Sequence, residues 1–462
     1  MKYEQKSLCC RDIIGAGPAE TLARARRFLH GRATAELLQA VGQTFDDLAL
    51  KARVADKRHF PVSYGGGEPC DDDLLTGLGA FYTTQSGKLM LDCVSGHYQM
   101  TWGYNHPDLT AAAIEAMRMG VVWDNHSNTP SLPVKMLADA LVELAGGRDT
   151  GLERVLLGVA TGSVACGAAL KIMLVRYFRD SARSKLGPPV VVALSGNYHG
   201  TDIVAQAMRG MWKGLLRNLK TVQLEPNDAQ ALQDAFRQYG ARVAGFWAEP
   251  VMMNREAILV DSDYLHLARR LCTETGALMV LDEIQTGFWY PEVFLFRRLG
   301  LRPDLVIVGK GMTAGFHPLA GVIYPEELDI LEQYDAISTN GNASLASLVG
   351  LCNLSLIERE RGRMAEVSER HEAGLRDLAA EFPGALLEVK GLGFLTGLKC
   401  RSRRVALGFH KAAVERGLWL RLHAYHPGHR TILMKCPLVF DEQTVDFVLE
   451  VFRELLLDKP WE

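Results

Sequence analysis

The sequence predicts an α/β fold: a large domain around a mainly parallel seven-stranded sheet, followed by a smaller α+β C-terminal domain. Three observations carry this. Seven short β-rich runs occupy the middle of the chain: Arg154–Val159, Val190–Leu194, Thr221–Leu224, Val243–Ala248, Leu278–Asp282, Leu305–Val308 and Leu319–Ile323. They are nearly continuous in apolar residues and alternate with amphipathic helical stretches, the pattern of strands covered on both faces. After about residue 350 the pattern changes to a long helix followed by short strands and helices.

The elements divide the 462 residues into three parts, because a chain of this length exceeds one small core. Residues 1–75 read as a helical extension. Its ETLARARRFLHG segment, 19–30, has helical apolar spacing and a glycine stop, and 34–51 continue in that style. A glycine- and acid-rich loop, SYGGGEPCDDD, follows. Residues 76–345 form the large domain. In 346–462 a helix over roughly 344–382 leads to strands near 386–399. A helix at 405–416, strands at 418–422 and 431–435, and a last helix at 442–456 complete the small domain.

Composition narrows the class. The net charge is −3, from 51 basic and 54 acidic side chains, so no basic excess points to nucleic acid or an anionic membrane. The start MKYEQKSLCCRDII lacks an apolar stretch of signal-peptide length, and no run approaches the roughly 18 residues of a spanning helix. Nine cysteines are scattered from Cys9 to Cys436 with no CxxC pair. This predicts reduced thiols in a cytoplasmic enzyme, with no metal site.

In a parallel sheet, ligands bind beyond the carboxyl ends of the strands. Lys310 follows DLVIVG there; a desolvated lysine is a nucleophile, while a lysine that merely snorkels is the plain alternative. Asp282 ends LMVLD and suits a protonated pyridine nitrogen, or else a helix cap or loop. Glu283 competes with it, and Gln285 lies within reach of a ring substituent. Gly162 and Ser163 open a helix after a strand, an arrangement that favours phosphate but also begins many ordinary helices. Tyr198 in GNYHG can stack on a flat ring or simply pack. Glu249 in WAEP can hold a substrate amine or a mobile arginine, or be a loop acid. Five strand ends in order thus carry a phosphate turn, an aromatic plate, an acid, a pyridine partner and a lysine.

These residues resemble the class III (ω-type) aminotransferases of pyridoxal 5′-phosphate (PLP) fold type I, over about residues 91–440. The resemblance is strongest at LDEIQTGF (281–288) and PDLVIVGKGMTAGFHPLAG (303–321). YHG (198–200), WAEP (247–250) and LDCVSGHYQMTWGYNHPDLTAAAIEAM (91–117) also match. It implies that Lys310 holds PLP as a Schiff base and then shuttles a proton. It also implies that Asp282 pairs with the pyridine nitrogen, Gln285 contacts the ring-hydroxyl side, Tyr198 stacks, and Gly162 and Ser163 bind phosphate. A hydroxyl from a second subunit joins the phosphate; in ISTNGNASLAS that is Ser338 in strict register or Thr339 beside it, which implies a homodimer with shared sites. By position, His97, Tyr98 and Trp102 line the pocket or pack behind it.

The sequence also departs from the family pattern. Gly-Thr-Glu-Ala reads Gly162-Ser163-Val164-Ala165, and Ala343 replaces a proline. Leu433 stands where many members have a carboxylate-binding arginine; Arg430, Lys435 and Arg421 are the out-of-register substitutes. The N-terminal extension is long, and is expected over the cofactor cleft or in the dimer interface. The expected activity is transfer of an amino group between an amine or amino-acid donor and a carbonyl acceptor. The departures motivate an alternative on the same scaffold: aminomutase, elimination or replacement, or carbon–carbon bond-forming chemistry.

Overall fold

The protein is described here by a computed structural model covering residues 9–51, 72–124, 129–211, 218–424 and 426–462. Three strands come first: β1 (Leu74–Leu78), β2 (Phe81–Thr84) and β3 (Leu89–Asp92), paired antiparallel. The central sheet uses β4 (Arg154–Val159), β5 (Val190–Leu194), β6 (Lys220–Leu224) and β7 (Val243–Ala248). A small hairpin, β8 (Val251–Met252) and β9 (Ile258–Leu259), follows. Then come β10 (Leu278–Asp282), β11 (Leu305–Val308) and β12 (Ala320–Tyr324). The sheet order is β4-β12-β11-β10-β7-β5-β6. Only β12 runs against its neighbours, so the sheet has seven strands and is mainly parallel, as predicted.

The strands are apolar throughout because both faces are covered. Val190, Val192 and Leu194 of β5 face one core, and Val191 and Ala193 face the other. In β10, Met279 and Leu281 join the first core, and Leu278 and Val280 the second. This period of two puts Asp282 on the second face, beneath helix 162–179, whose Ala165, Cys166 and Ala169 line that core. Intervening helices start and stop on local chemistry. Asp228 caps helix 229–239 through the Ala231 amide, and left-handed Gly276 ends helix 262–275.

Helix 344–381 has 38 residues and touches helices 107–118 and 132–145 as well as the C-terminal sheet. That sheet comprises β13 (Leu386–Leu392), β14 (Leu395–Cys400), β16 (Arg421–His423) and β17 (Thr431–Lys435), in the order β13-β14-β17-β16. The short β15 (Leu418–Trp419) pairs with β3 instead, so early and late parts of the chain share a sheet.

The N-terminal helices span 10–14, 16–30 and 34–40. The helical continuation expected through residue 51 stops short. Gly42 takes φ +84°, and the chain then runs beside β3, its amides at Gly42, Phe45 and Leu50 bonding to Leu89, Gly87 and Gln85. Most of the SYGGGEPCDDD loop lies outside the described residues.

Candidate active site

The carboxyl ends of β4, β5, β7, β10 and β11 converge on one region. Lys310 follows β11 and Gly309, and its backbone adopts φ +40°, which a side-chain-bearing residue takes only under constraint. Part of that constraint is visible. Asn353, from the long helix, donates to the carbonyls of Gly311 (2.8 Å) and Met312 (3.1 Å). The indole of Trp102 donates to the same asparagine at 2.8 Å. Burial lowers the Lys310 pKa, partly opposed by Asp282 and then Glu249, which favours the neutral, nucleophilic amine.

Asp282 is buried. One oxygen accepts from the Ile284 amide at 2.9 Å, and the other from His199 Nδ1 at 2.7 Å. The Cys166 thiol approaches that second oxygen at 3.7 Å, and burial pushes its pKa up, so it stays protonated. These three ligand-type groups lie within 4.8 Å of one another, but hydrogen bonds to the carboxylate already account for the geometry. Glu283, the competing candidate, turns away. It accepts from the amides of Leu295 (3.1 Å) and Phe296 (2.7 Å) and from Thr286, so it caps the helix at 295–298. Burial pushes its pKa up to about 7.

Glu249 is buried, with one oxygen accepting from the Tyr198 amide at 2.7 Å; burial raises its pKa. Gln285 donates its amide to Asn254 at 2.8 Å. The other carboxylate oxygen of Glu249, Oε1 of Gln285 and Nε2 of His199 are buried without protein partners.

Gly162 and Ser163 begin helix 162–179. Gly200 packs against Ser163 so closely, at φ +122°, that a Cβ there would lie 2.1 Å from the serine oxygen. Two cavities meet at Lys310. One of about 150 Å³ is lined by Thr161, Gly162, Ser163, Tyr198, His199, Gly200, Ile284 and Lys310. The other, about 290 Å³, adds Gln99, Thr313 and His317–Leu319.

Several sequence-predicted residues stand elsewhere. Trp102 is not on the cavity wall; its buried ring braces the Lys310 loop from behind through Asn353. Arg430 is also displaced: it sits just before β17, where its amide bonds to Glu256, and it lines neither cavity at Lys310. The Ser338 hydroxyl is engaged within its own chain, accepting from the Ala160 amide at 2.9 Å, whereas Thr339 is exposed. His97 and Tyr98 lie beside Arg421 and Lys435, and the ring of Tyr198 faces the Arg209 guanidinium at 5.3 Å. His199 was missed as the partner of Asp282 although it belongs to the YHG motif; its place after a buried strand was the available signal. Asn353 lies in an ordinary helical pattern and gave none.

The chain belongs to the class-III aminotransferase family, whose model matches residues 73–456. It is 26% identical to the mitochondrial ornithine aminotransferase of Arabidopsis thaliana over 366 residues, 76% of this chain and 74% of that protein. It is 26% identical to the acetylornithine aminotransferase of a Synechocystis strain over 398 residues, 83% of this chain and 89% of the relative. In structure it resembles the ornithine aminotransferase of Toxoplasma gondii, with a TM-score of 0.77 at 22% identity, over 89% of this chain and 96% of that one. A transaminase from the marine bacterium Virgibacillus gives a TM-score of 0.76 at 23% identity, covering 88% and 98%. The fold is PLP fold type I, and the protein is a PLP-dependent aminotransferase. Family membership favours transamination over the aminomutase, elimination and bond-forming alternatives. The site suits the cofactor: a buried lysine, a buried acid and three unpartnered buried polar atoms surround a cavity that opens at a helix start.

Proposed function

We propose that Lys310 is the attachment point for PLP, and that an amino group passes there between an amine or amino-acid donor and a carbonyl acceptor. The observation that carries this reading is the meeting of Lys310, the Asp282–His199 pair and the start of helix 162–179 around one cavity. Asp282 holds a proton at the ring nitrogen, and His199 fixes the orientation of its carboxylate. When bound, PLP supplies the electron sink. Gly162 and Ser163 hold the phosphate with backbone amides and the helix dipole. Tyr198 covers one ring face, and Gln285 meets the ring hydroxyl with its unpartnered oxygen. Lys310 Nζ would take the proton from the donor's amine-bearing carbon.

The functional unit is a homodimer with shared sites. Exposed Met119, Val122, Trp123 and Leu132 are apolar surface suited to a second copy, and Thr339, exposed where Ser338 is engaged with Ala160, is the hydroxyl that reaches the partner's phosphate. Among the described residues no helix is long and apolar enough to cross a membrane, and the eight described cysteines are unpaired, which supports a cytoplasmic setting.

The test is a half-reaction: one donor, no acceptor, and the PLP-loaded protein. Transamination requires about one equivalent of the pyridoxamine form per chain, by reaction stoichiometry. No such product with any of a broad panel of amines would overturn the reading.

A further inference from the structure

An ionised carboxylate has about four acceptor positions, two on each oxygen. One oxygen of Asp282 takes the Ile284 amide at 2.9 Å. The other takes His199 Nδ1 at 2.7 Å and the Cys166 thiol at 3.7 Å. Donors from the described residues thus fill the second oxygen and leave one position open on the first. The proposed function uses the histidine and the open position, but gives the thiol no task.

The thiol is placed there by the helix. Gly162 opens helix 162–179 with its face against Ile284, where an added Cβ would lie 2.7 Å from that side chain. Cys166 stands about one turn further along, so it points to the same side of the helix and meets Asp282 at the end of β10. Two other thiols turn instead to main-chain carbonyls: Cys400 to Leu398 and Cys352 to Asp108, each at 3.9 Å.

Cys166, His199 and Asp282 are all buried. Burial first, then the charge of Asp282, pushes the thiol pKa up, so Cys166 keeps its proton and meets the carboxylate as a donor. A hydrogen bond to a carboxylate favours its charged form. The thiol therefore makes Asp282 a poorer base, less able to draw a shared proton to itself. By filling the oxygen that His199 already holds, it also leaves the acid a single direction in which to accept.

We infer that Cys166 is a positioning residue: its thiol completes the hydrogen bonding of Asp282, so that the acid stays charged and offers one acceptor position to the cofactor's ring nitrogen. The inference rests on the proposed role of Asp282 for its meaning, and two of its three readouts need no turnover.

The test uses the PLP-loaded protein with Cys166→Val, similar in volume without a donor, Cys166→Ala in case valine prevents folding, and Cys166→Ser, which restores a donor. The first readout is the infrared S–H stretch present in wild type and missing from the valine or alanine variant. Asp282→Asn, a weaker acceptor, moves that band to higher frequency. The second is the NMR signal of isotope-labelled PLP at its ring nitrogen. It moves toward the unprotonated position in Cys166→Val and Cys166→Ala and returns in Cys166→Ser. The third is the half-reaction: its rate falls roughly 2- to 10-fold with donor KM unchanged, the range for one lost neutral hydrogen bond, and serine recovers most of it. An S–H band that Asp282→Asn leaves in place overturns the proposal. So does a ring-nitrogen signal unmoved in the valine and alanine variants, whatever their melting temperatures do. If band and signal move as stated while no donor reacts in wild type, the role of Cys166 is upheld and transamination is overturned.

Discussion

Asp282 sits between a hydrogen-bonded histidine and a buried thiol, and the role proposed for it is to keep a proton on the cofactor's ring nitrogen. Asp282→Asn keeps the size and much of the hydrogen bonding but loses the charge. Its kcat is expected to fall roughly 10²-fold or more at saturating cofactor, in the range for a lost proton-handling group; steady-state kinetics at several PLP concentrations check it. The acid was legible in the sequence because a carboxylate closing an apolar strand is conspicuous. Its partner His199 was not assigned, because burial of a histidine cannot be read from spacing. The same limit explains Glu283: the sequence offered two adjacent acids, and only the fold shows one spent on the amides of Leu295 and Phe296.

At the scale of elements, the loop carrying Lys310 is held by the long helix. Asn353 is fully buried and serves the carbonyls of Gly311 and Met312 and the indole of Trp102. Asn353→Leu leaves these groups without partners, at about 1–3 kcal/mol each before relaxation. Lower thermal stability is expected, together with a larger proportional loss in kcat than in donor binding, measured by scanning fluorimetry and kinetics. The same helix carries His371, buried against Thr396, whose pKa burial pushes down to about 4. Above its ordinary value near 6.5 the neutral ring costs nothing. As pH falls from there toward about 4 the unfolded chain takes the proton first, so about 3 kcal/mol of stability is lost over that window. His371→Gln is expected to flatten denaturant-derived stability between those pH values; an unchanged slope would refute the assignment. The strands of the central sheet were legible almost to the residue because strands covered on both faces are apolar throughout. The stretch after residue 40 was not, since its path depends on hydrogen bonds to a distant hairpin.

For the whole molecule, shared sites make a prediction that independent sites do not. In a dimer of one Lys310→Ala chain and one Thr339→Val chain, crossed sites regenerate one complete centre: the intact lysine of one chain meets the intact threonine of the other. Such mixed dimers are expected to recover up to about half the wild-type activity, by counting sites. Each parent homodimer should be impaired. Activity no higher than that of the parents would place Thr339 in its own chain's site. The sequence suggested this hydroxyl as Ser338 or Thr339. What separates them is a contact between residues 178 positions apart, from Ala160 to Ser338, which no local pattern reveals.

The most direct test of the account is to reduce the PLP-loaded protein with borohydride, digest it and locate the cofactor-bearing peptide by mass spectrometry. The account requires a single modified lysine, Lys310, with no label in Lys310→Ala. A label on Lys435, or on any other lysine of the unsubstituted protein, would contradict it.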